Sequence, residues 1–393
     1  MGRVVVVGGG IVGVSVAWRL AQAGMQVILL DAGGLGQGAT LASFAWLNGS
    51  FIHDKPYFHL KLDGLAEYGA IARELGSTPW LHKDGHIEWS SAANETVDAF
   101  GSDGLPVADA DLSGAERLGK KVRTLRDWGF PAEMLPIREL RSLEPELVAP
   151  DDVDEFAWYP AEGYIHPVDA VGALAPEARR HGAQIRPQTT VASLMIERGR
   201  VTGVVTGQCE RISADHVVSC AGSWTPELLR MAGRDMAMSP VDGVVAITGP
   251  TAARLRVVHH NERLSLRPDG AGRIMMRHYD FDRMIDASGP PTSLPAWTAD
   301  LMERAVNSLP ALSSTRIESI QVATRPIPAD GLPAVGPVPG VDRLYVVVAH
   351  GAVTLGPLLG RIVSREIAYG EADARMTAFR PDRLVTERST TRS

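Results

Sequence analysis

The sequence predicts an α/β fold, α+β overall, in which one chain forms a parallel sheet and a separate antiparallel sheet. Residues 3–31 read as a strand, a tight glycine turn, a helix and a second strand, which is the βαβ unit of a parallel sheet. Between Pro240 and Ile320 several short strands alternate with turns, and Asp269-Gly270 forms the turn of a hairpin. This pattern is typical of antiparallel pairing. At 393 residues the chain exceeds the size of one usual core, so two domains are expected.

The first βαβ unit has a glycine pattern that suits a bound pyrophosphate. Residues 4–7 form a β-branched run typical of a strand buried on both faces. Gly8, Gly10 and Gly13 follow at G-x-G-x-x-G spacing, which allows a sharp turn, a close approach of phosphate, and close helix packing. The following helix N-terminus favours an anion. Asp31 ends the second strand where a carboxylate binds ribose hydroxyls and repels a 2′-phosphate, so FAD or NAD is favoured over NADP.

Composition and charge narrow the class of partner. The formal net charge is -7, and no basic cluster indicates nucleic-acid binding, so a small-molecule partner is expected. Cys209 and Cys220 form neither a disulfide framework nor a zinc motif. Each apolar run is too short to span a membrane. Because the first strand begins at residue 3, no room is left for a cleavable signal peptide, and a cytoplasmic location is expected.

The segment 32–48 combines glycines with small and aromatic residues. Its glycines allow a loop to pass close to a bulky ligand, and Thr40 and Ser43 offer hydroxyls to that ligand. A flexible surface loop is the alternative. Phe44 and Trp46 argue against it, because a loop without a function rarely carries two large aromatic residues.

Two elements follow this loop. Residues 57–76 read as an amphipathic helix, and residues 80–89 as a hairpin with Asp84-Gly85 at its turn. His82 and His86 flank that turn, but no third ligand is near in the sequence, so no metal site is predicted.

Two later strands end where a ligand can bind. Residues 189–224 predict three short strands and then an apolar strand that ends in small residues, the position at which an α/β sheet binds ligands. A simple β meander is the alternative. Strand 344–348 leads through His350-Gly351 into a helix over about 355–368, whose N-terminus suits the partly negative edge of a ring.

The order of these blocks resembles the superfamily of FAD-dependent amino-acid oxidases and dehydrogenases, the DAO family, which includes D-amino-acid, glycine and sarcosine oxidases. The resemblance extends almost from end to end. Its specific points are GGGIVG with Asp31, the loop from Gly38 to Asn48, the strand into AGSW, the segment RPIPADGLPAVGP, and the closing HGAVTLGPLLGR.

The resemblance implies a Rossmann-like FAD-binding domain interleaved with an antiparallel-sheet substrate domain. The FAD-binding domain is implied to comprise residues 1–85, 155–238 and 325–393, and the substrate domain residues 86–154 and 239–324. The resemblance also implies contacts of FAD with the glycine turn, Asp31, the backbone of Val191 and the loops around the flavin ring. The implied cofactor-binding residues are Gly8, Gly10, Ile11, Val12, Gly13, Asp31, Ala32, Thr40, Ser43, Phe44, Ala45, Trp46, Val191, Ala221, Gly222, Trp224, His350, Gly351, Ala352, Val353 and Thr354.

The position of Arg325 resembles that of the arginine that clamps the substrate carboxylate in the glycine oxidase branch. A guanidinium offers a planar fork of two donors and stays charged at every relevant pH. The alternative for Arg325 is a surface or ion-paired arginine. Trp46 is a candidate for the pocket wall. His53 and His278 are candidates for tuning amine protonation, with a structural role as the alternative for each.

Residues 318–325 bear on how the flavin is held. Sarcosine oxidase relatives attach it through a cysteine just before the clamping arginine, and this segment contains none, so FAD is expected to bind without a covalent link.

The lead hypothesis is an enzyme that takes a hydride from the carbon next to an amine, passes it to flavin N5, and leaves an imine that water hydrolyses. The substrate would be an amino acid or N-alkyl amino acid, the electron acceptor O2 or a quinone, and an oligomer is possible. An NAD-linked dehydrogenase is one alternative, although it does not explain the closing HGAVTLGP loop. The other is a non-catalytic flavoprotein subunit whose FAD no amine reduces.

Overall fold

The computed structural model describes residues 2–51, 54–91, 112–285 and 293–388. Its α-helices are α1 (Ile11–Gln22), α2 (Lys55–Leu75), α3 (Gly114–Asp127), α4 (Leu140–Leu143), α5 (Pro167–Arg180), α6 (Thr225–Arg230), α7 (Tyr279–Asp282), α8 (Thr298–Ser308) and α9 (Ala352–Tyr369). Its strands are β1 (Arg3–Val7), β2 (Gln26–Leu30), β3 (Trp46–Leu47), β4 (Leu81–His82), β5 (His86–Glu88), β6 (Glu133–Pro136), β7 (Glu155–Tyr159), β8 (Gly163–Ile165), β9 (Gln184–Arg186), β10 (Val191–Glu197), β11 (Arg200–Thr206), β12 (Arg211–Ser213), β13 (His216–Ser219), β14 (Arg234–Met236), β15 (Val241–Thr248), β16 (Val258–Asn261), β17 (Leu264–Pro268), β18 (Ile274–Arg277), β19 (Ile317–Arg325), β20 (Ala334–Pro337), β21 (Leu344–Val348) and β22 (Val385–Glu387).

The first sheet has the strand order β20-β21-β13-β1-β2-β9, and every neighbouring pair except β20 with β21 is parallel. Val4, Val5 and Val6 in the central strand β1 are fully buried, which confirms the prediction of a strand covered on both faces. Helices α1, α5 and α9 pack on one face, and the β10-β11-β12 meander with α6 packs on the other. The carboxyl ends of β1, β2, β13 and β21 therefore meet at one edge of the sheet.

The second sheet has eight strands in the order β19-β15-β18-β17-β16-β5-β7-β6. The predicted hairpin at Asp269-Gly270 is confirmed, since β17 and β18 pair antiparallel around it. The strands between Pro240 and Ile320 pair antiparallel with one another, as predicted. The sheet also contains one parallel pair, β16 with β5. Helix α8 covers one face. The other face carries Val245, Ile247 and Met275 and packs against Phe44.

The predicted hairpin over residues 80–89 is wrong. Strand β4 pairs with β8 in a small sheet, whereas β5 pairs with β7 and β16 in the large sheet. Gly85, at φ +94°, turns the chain from one sheet to the other, and a Cβ there would lie 2.0 Å from the ring of Trp158. The glycine therefore lets the chain pass from the small sheet to the large sheet, so β5 does not pair back on β4 as a hairpin would require.

The strand pairing also bears on the predicted domain segments. Glu155–Tyr159 forms β7 of the large sheet, between β5 and β6. The domain segments stay a prediction, in which residue 155 begins the second segment of the FAD-binding domain. Within the described residues, no helix combines the length and the apolar character that crossing a membrane requires.

The packing of α9 on α1 depends on Gly360. A Cβ at Gly360 would lie 2.7 Å from the backbone carbonyl of Ser15 in α1. We expect Gly360→Ala to lower the melting temperature, because overpacking costs about 1–3 kcal/mol and outweighs the gain in helix propensity of about 1 kcal/mol. The matched control is Gly172→Ala in α5, where an added Cβ meets nothing within 4 Å. The control should leave the melting temperature unchanged or raise it, and equal effects of the two substitutions would contradict this account.

Candidate active site

A cavity of about 840 Å³ lies where the carboxyl edge of the parallel sheet meets one face of the large sheet. Val7, Leu30 and Val348 line it from the ends of β1, β2 and β21. Val245 and Arg277 line it from the large sheet. The cavity is thus in the position at which an α/β sheet binds its ligand, and it extends to a surface that the second sheet provides.

The glycine turn has the geometry that its spacing predicts. Gly8 has a φ of +111°, and a Cβ there would lie 2.3 Å from the backbone oxygen of Cys220. A Cβ at Gly13 would lie 1.8 Å from the oxygen of Gly8. Gly10 caps α1 without a side-chain hydrogen bond, and the first turn of α1 has no acidic residue. Gly10 and Ile11 line the cavity, and the N–H of Ile11 donates to Thr40 Oγ1 at 3.2 Å. The positive polarity of this helix end suits an anion.

Asp31 is held at the next strand end by two backbone N–H groups. Gly9 donates to its Oδ2 atom at 2.6 Å and Gly33 donates to its Oδ1 atom at 2.8 Å. The carboxylate also lines the cavity. Its position beside the glycine turn is the one that a ribose would need.

Nearly all of the predicted cofactor-binding residues line this one cavity, from Gly8 in the glycine turn to Thr354 in α9. Gly13 is the exception, and its structural contact with Gly8 explains why it does not line the cavity. Trp224 lines the cavity and is also 64% exposed, at its open end.

A second helix N-terminus reaches the cavity at α9. Gly351 caps this helix without a side-chain hydrogen bond, and its first turn has no acidic residue. Tyr68 donates its hydroxyl to the oxygen of Val353 at 2.5 Å. Thr354 donates to the oxygen of Trp46 at 3.3 Å, which joins the start of α9 to the opposite wall. The helix end is therefore fixed in place.

The wall opposite α9 is aromatic. Trp46 packs edge-on against Phe44 and Phe51, with ring centroids 6.3 and 4.9 Å away, and all three residues line the cavity. Arg267 is fully buried and donates its Nε–H to the oxygen of Phe44 at 2.5 Å. The wall is thus anchored to the large sheet.

Glu162 lies behind this wall, fully buried. It accepts hydrogen bonds from Trp46 Nε1 at 3.0 Å and from the N–H groups of Gly49 and Ser50 at 2.7 and 2.6 Å. His86 Nδ1 lies 3.0 Å from its Oε2 atom. Burial alone would raise the pKa of Glu162, but the hydrogen bond and charge of His86, with the Gly49 bond, outweigh burial and lower that pKa. The residue is therefore a buried carboxylate that fixes one wall.

Arg325 lines the cavity at the end of β19. Its Nη2 atom pairs with Asp282 Oδ2 and also donates to the oxygen of Asp242 at 3.3 Å. Arg277 lines the same region, and its Nη2 atom lies 3.3 Å from the same oxygen of Asp282. Arg325 is ion-paired, as its alternative interpretation expected, and it also faces the cavity.

Of the two histidine candidates, one can be located in the structure. His53 lies outside the described residues. His278 is buried and is not among the cavity-lining residues; its Nδ1 atom lies 3.0 Å from Asp280 Oδ2. Burial lowers the pKa of His278, although Asp280 opposes that shift. Within the part of the chain that the structure describes, no group of three or more His, Cys, Asp or Glu side chains is placed to hold a metal.

Three residues at the site were missed by sequence reasoning. Lys61 lines the cavity, is only 4% exposed, and donates to Asn48 Oδ1 at 2.9 Å. Its signal was available, since it is a charged residue on the apolar face of the predicted helix. Arg277 also had a signal in the sequence, because it is a charged residue directly after the apolar run of a predicted strand. Glu162 had no local signal, because its partners lie more than 70 residues away in the sequence.

The chain is similar over most of its length to proteins of one family. The family model DAO, described as FAD dependent oxidoreductase, matches residues 3–366. The chain is 24% identical to a glycine oxidase of Bacillus licheniformis over 92% of this chain and 91% of that protein. It is 25% identical to one of the subunits of an opine oxidase of Agrobacterium tumefaciens, over 98% of this chain and 98% of that protein. The crystal structure of glycine oxidase from Geobacillus kaustophilus matches with a TM-score of 0.80 and 22% identity, over 97% of this chain and 99% of that chain.

Glu162→Gln tests the buried carboxylate behind the wall. We expect a lower melting temperature at pH 7, because an unsatisfied buried group costs about 1–3 kcal/mol. Since folding lowers the pKa of Glu162, its ionised form stabilises the protein above the ordinary value near 4.5, and this stability is lost as the pH falls through the folded pKa. The difference in melting temperature between wild type and Glu162→Gln should therefore stay constant from pH 7 to about pH 5 and narrow as the pH falls below the ordinary value near 4.5. The control is Glu155→Gln at an exposed position; a difference that does not change with pH would contradict the prediction.

Proposed function

Because this chain belongs to the DAO family of FAD-dependent oxidoreductases, we propose that it oxidises the carbon–nitrogen bond of an amino acid or N-alkyl amino acid. The observation that carries the proposal is the single cavity that has the glycine turn at one end and Arg325 at the other. A dinucleotide motif alone indicates a cofactor, whereas a cationic group within the same cavity also indicates an anionic substrate. The glycine oxidase and opine oxidase relatives support an amino-acid substrate.

The described residues fit FAD along the whole cavity. The α1 N-terminus at Gly10 suits the pyrophosphate, and Asp31 suits the ribose. Val191 and Trp224 line the open end, where the adenine would lie. The α9 N-terminus at Gly351 suits the electron-rich edge of the flavin ring.

We propose that the protein binds the substrate, orients it and excludes water. When bound, FAD supplies the hydride acceptor at its N5 atom. Arg325 binds the substrate carboxylate with its planar fork. Phe44, Trp46 and Phe51 form an apolar wall that excludes water and orients the substrate so that its carbon–hydrogen bond points at the cofactor. With FAD bound, the carbon would give up a hydride to the cofactor and the nitrogen would give up a proton to solvent, which leaves an imine. Water would hydrolyse the imine to a carbonyl compound and an amine or ammonia, and O2 or a quinone would take up the electron pair.

We propose that FAD is held without a covalent bond. Residues 318–325 contain no cysteine. Cys220 is the cavity-lining cysteine among the described residues, and burial raises the pKa of its thiol, which disfavours the reactive thiolate. Acid precipitation should therefore release the yellow colour into the supernatant, where chromatography identifies FAD. Flavin that stays in the protein pellet would contradict non-covalent binding.

The experiment that tests the function is an anaerobic absorbance spectrum of the FAD-loaded protein. The spectrum is recorded before and after the addition of glycine, sarcosine, proline, D-amino acids or N-carboxyalkyl amino acids. Bleaching of the flavin bands by one of these amines is the expected result. Flavin bands that none of them bleaches would contradict the proposed oxidation, and a protein that binds no FAD would contradict the cofactor.

Arg325→Gln tests the carboxylate clamp. We expect the concentration of amine that half-saturates bleaching to rise by about 100-fold, since the loss of charge-assisted hydrogen bonds costs about 3 kcal/mol. Stopped-flow reduction at several amine concentrations separates this loss of binding from the limiting rate. The control is Arg283→Gln, an exposed arginine that is not among the cavity-lining residues. An unchanged half-saturating concentration in Arg325→Gln would contradict the role.

A further inference from the structure

Arg277 and Arg325 reach the same place from strands on either side of β15. Arg325 lies opposite Val241 in the β15–β19 register, and Met276, the residue before Arg277, lies opposite Ala246 in the β15–β18 register. The two arginine backbones are therefore on the order of 13 Å apart along β15. Their side chains extend toward each other, which brings the two guanidinium groups close together.

The meeting point is Asp282 in α7. Its side chain is 2% exposed, and its Oδ1 atom accepts the N–H of Val244 in β15 at 2.8 Å. Its Oδ2 atom contacts the Nη2 atoms of both arginines. The two Nη2 atoms therefore lie within about 6 Å of each other. The aspartate holds two guanidinium groups side by side.

Gly243 makes room for this arrangement. A Cβ at this position of β15 would lie 2.8 Å from Arg325 Nε and 3.3 Å from its Cζ. The Arg325 side chain therefore crosses β15 where no side chain obstructs it. Arg277 and Arg325 both line the cavity, with 18% and 19% of their side chains exposed. The site is thus a two-arginine patch in the cavity floor.

We propose that Arg277 is a second substrate-binding cation and that the substrate carries two carboxylates, one on each side of its amine. This inference rests on the proposed function and specifies its substrate class as N-carboxyalkyl amino acids. Each guanidinium presents a fork that matches one carboxylate. Two carboxylates separated by a single amine can span two guanidiniums this close together. A mono-carboxylate amino acid would use only one of them.

Two ethers that cannot be oxidised as amines test the proposal by binding alone. Oxydiacetate has two carboxylates around a central oxygen, and methoxyacetate has one carboxylate in the same frame. Isothermal titration calorimetry of each into the FAD-loaded protein measures affinity without turnover. We expect oxydiacetate to bind wild type at least 10-fold more tightly than methoxyacetate. Equal affinity of the two ethers would overturn the proposal.

Arg277→Gln assigns the preference to its residue. This variant should bind oxydiacetate at least 10-fold more weakly than wild type and methoxyacetate within about twofold. The control Arg283→Gln should keep the wild-type preference. If Arg277→Gln keeps the preference, or loses affinity for both ethers equally, Arg277 acts only as a support for Asp282 and the proposal fails.

A second variant covers the case in which Arg277→Gln does not fold. Arg277→Lys keeps the charge but not the planar fork, so the ratio of its affinities for oxydiacetate and methoxyacetate should be at least threefold lower than in wild type. A ratio equal to that of wild type would overturn the proposal.

Failure of the proposed oxidation can be distinguished from failure of this inference. An oxydiacetate preference in a protein whose flavin no amine bleaches would support the two-arginine patch and contradict the oxidation.

Discussion

The rest of the site depends on the close packing of the start of α1 against the glycine turn after β1, which in turn packs against the chain after β13. Gly8 and Gly13 touch with no space for a side chain, and Gly8 also approaches the backbone of Cys220. This packing places the α1 N-terminus at the sheet edge where β1, β2 and β13 end. Because the packing is between backbones, it leaves no tolerance for a methyl group. The position of the α1 N-terminus is thereby determined by three segments at once.

A second close packing extends this arrangement to α9. Gly360 lies against Ser15, so α9 runs beside α1 and its N-terminus reaches the same cavity. Two helix ends then give positive polarity at two places along one elongated space. The large sheet supplies the remaining wall with the Asp282-centred pair of arginines. Under the proposed function, charge recognition would be divided between the two ligands: the helix ends and the glycine backbone would bind the cofactor, and the guanidinium groups would bind the substrate.

Local patterns predicted the glycine turn and most of the residues that line the cavity around it, whereas the features that they missed depend on long-range packing. The glycine turn, Asp31 and the α9 start are each contained in one short segment, so their spacing alone indicates the geometry. The prediction of a hairpin over 80–89 was wrong because Gly85 turns the chain from one sheet to the other. The ring of Trp158, which is distant in the sequence, packs against Gly85 where a side chain would lie. Glu162 was missed because its bonds join distant segments. Arg325 was found by resemblance, whereas its pairing with Asp282 and the approach of Arg277 depend on α7 packing beneath β15.

The strand order of the parallel sheet has a consequence for synthesis of the chain. Strand β1 leaves the ribosome first, yet its second neighbour, β13, begins at His216, and the next strand, β21, begins at Leu344. A βαβ unit made of β1, α1 and β2 alone leaves an apolar strand edge unpaired through most of translation. Such long-range pairing folds slowly and exposes the chain to aggregation. The edge of β1 therefore stays unpaired until residues 216–219 have been made, and the edge of β13 stays unpaired until residues 344–348 have been made.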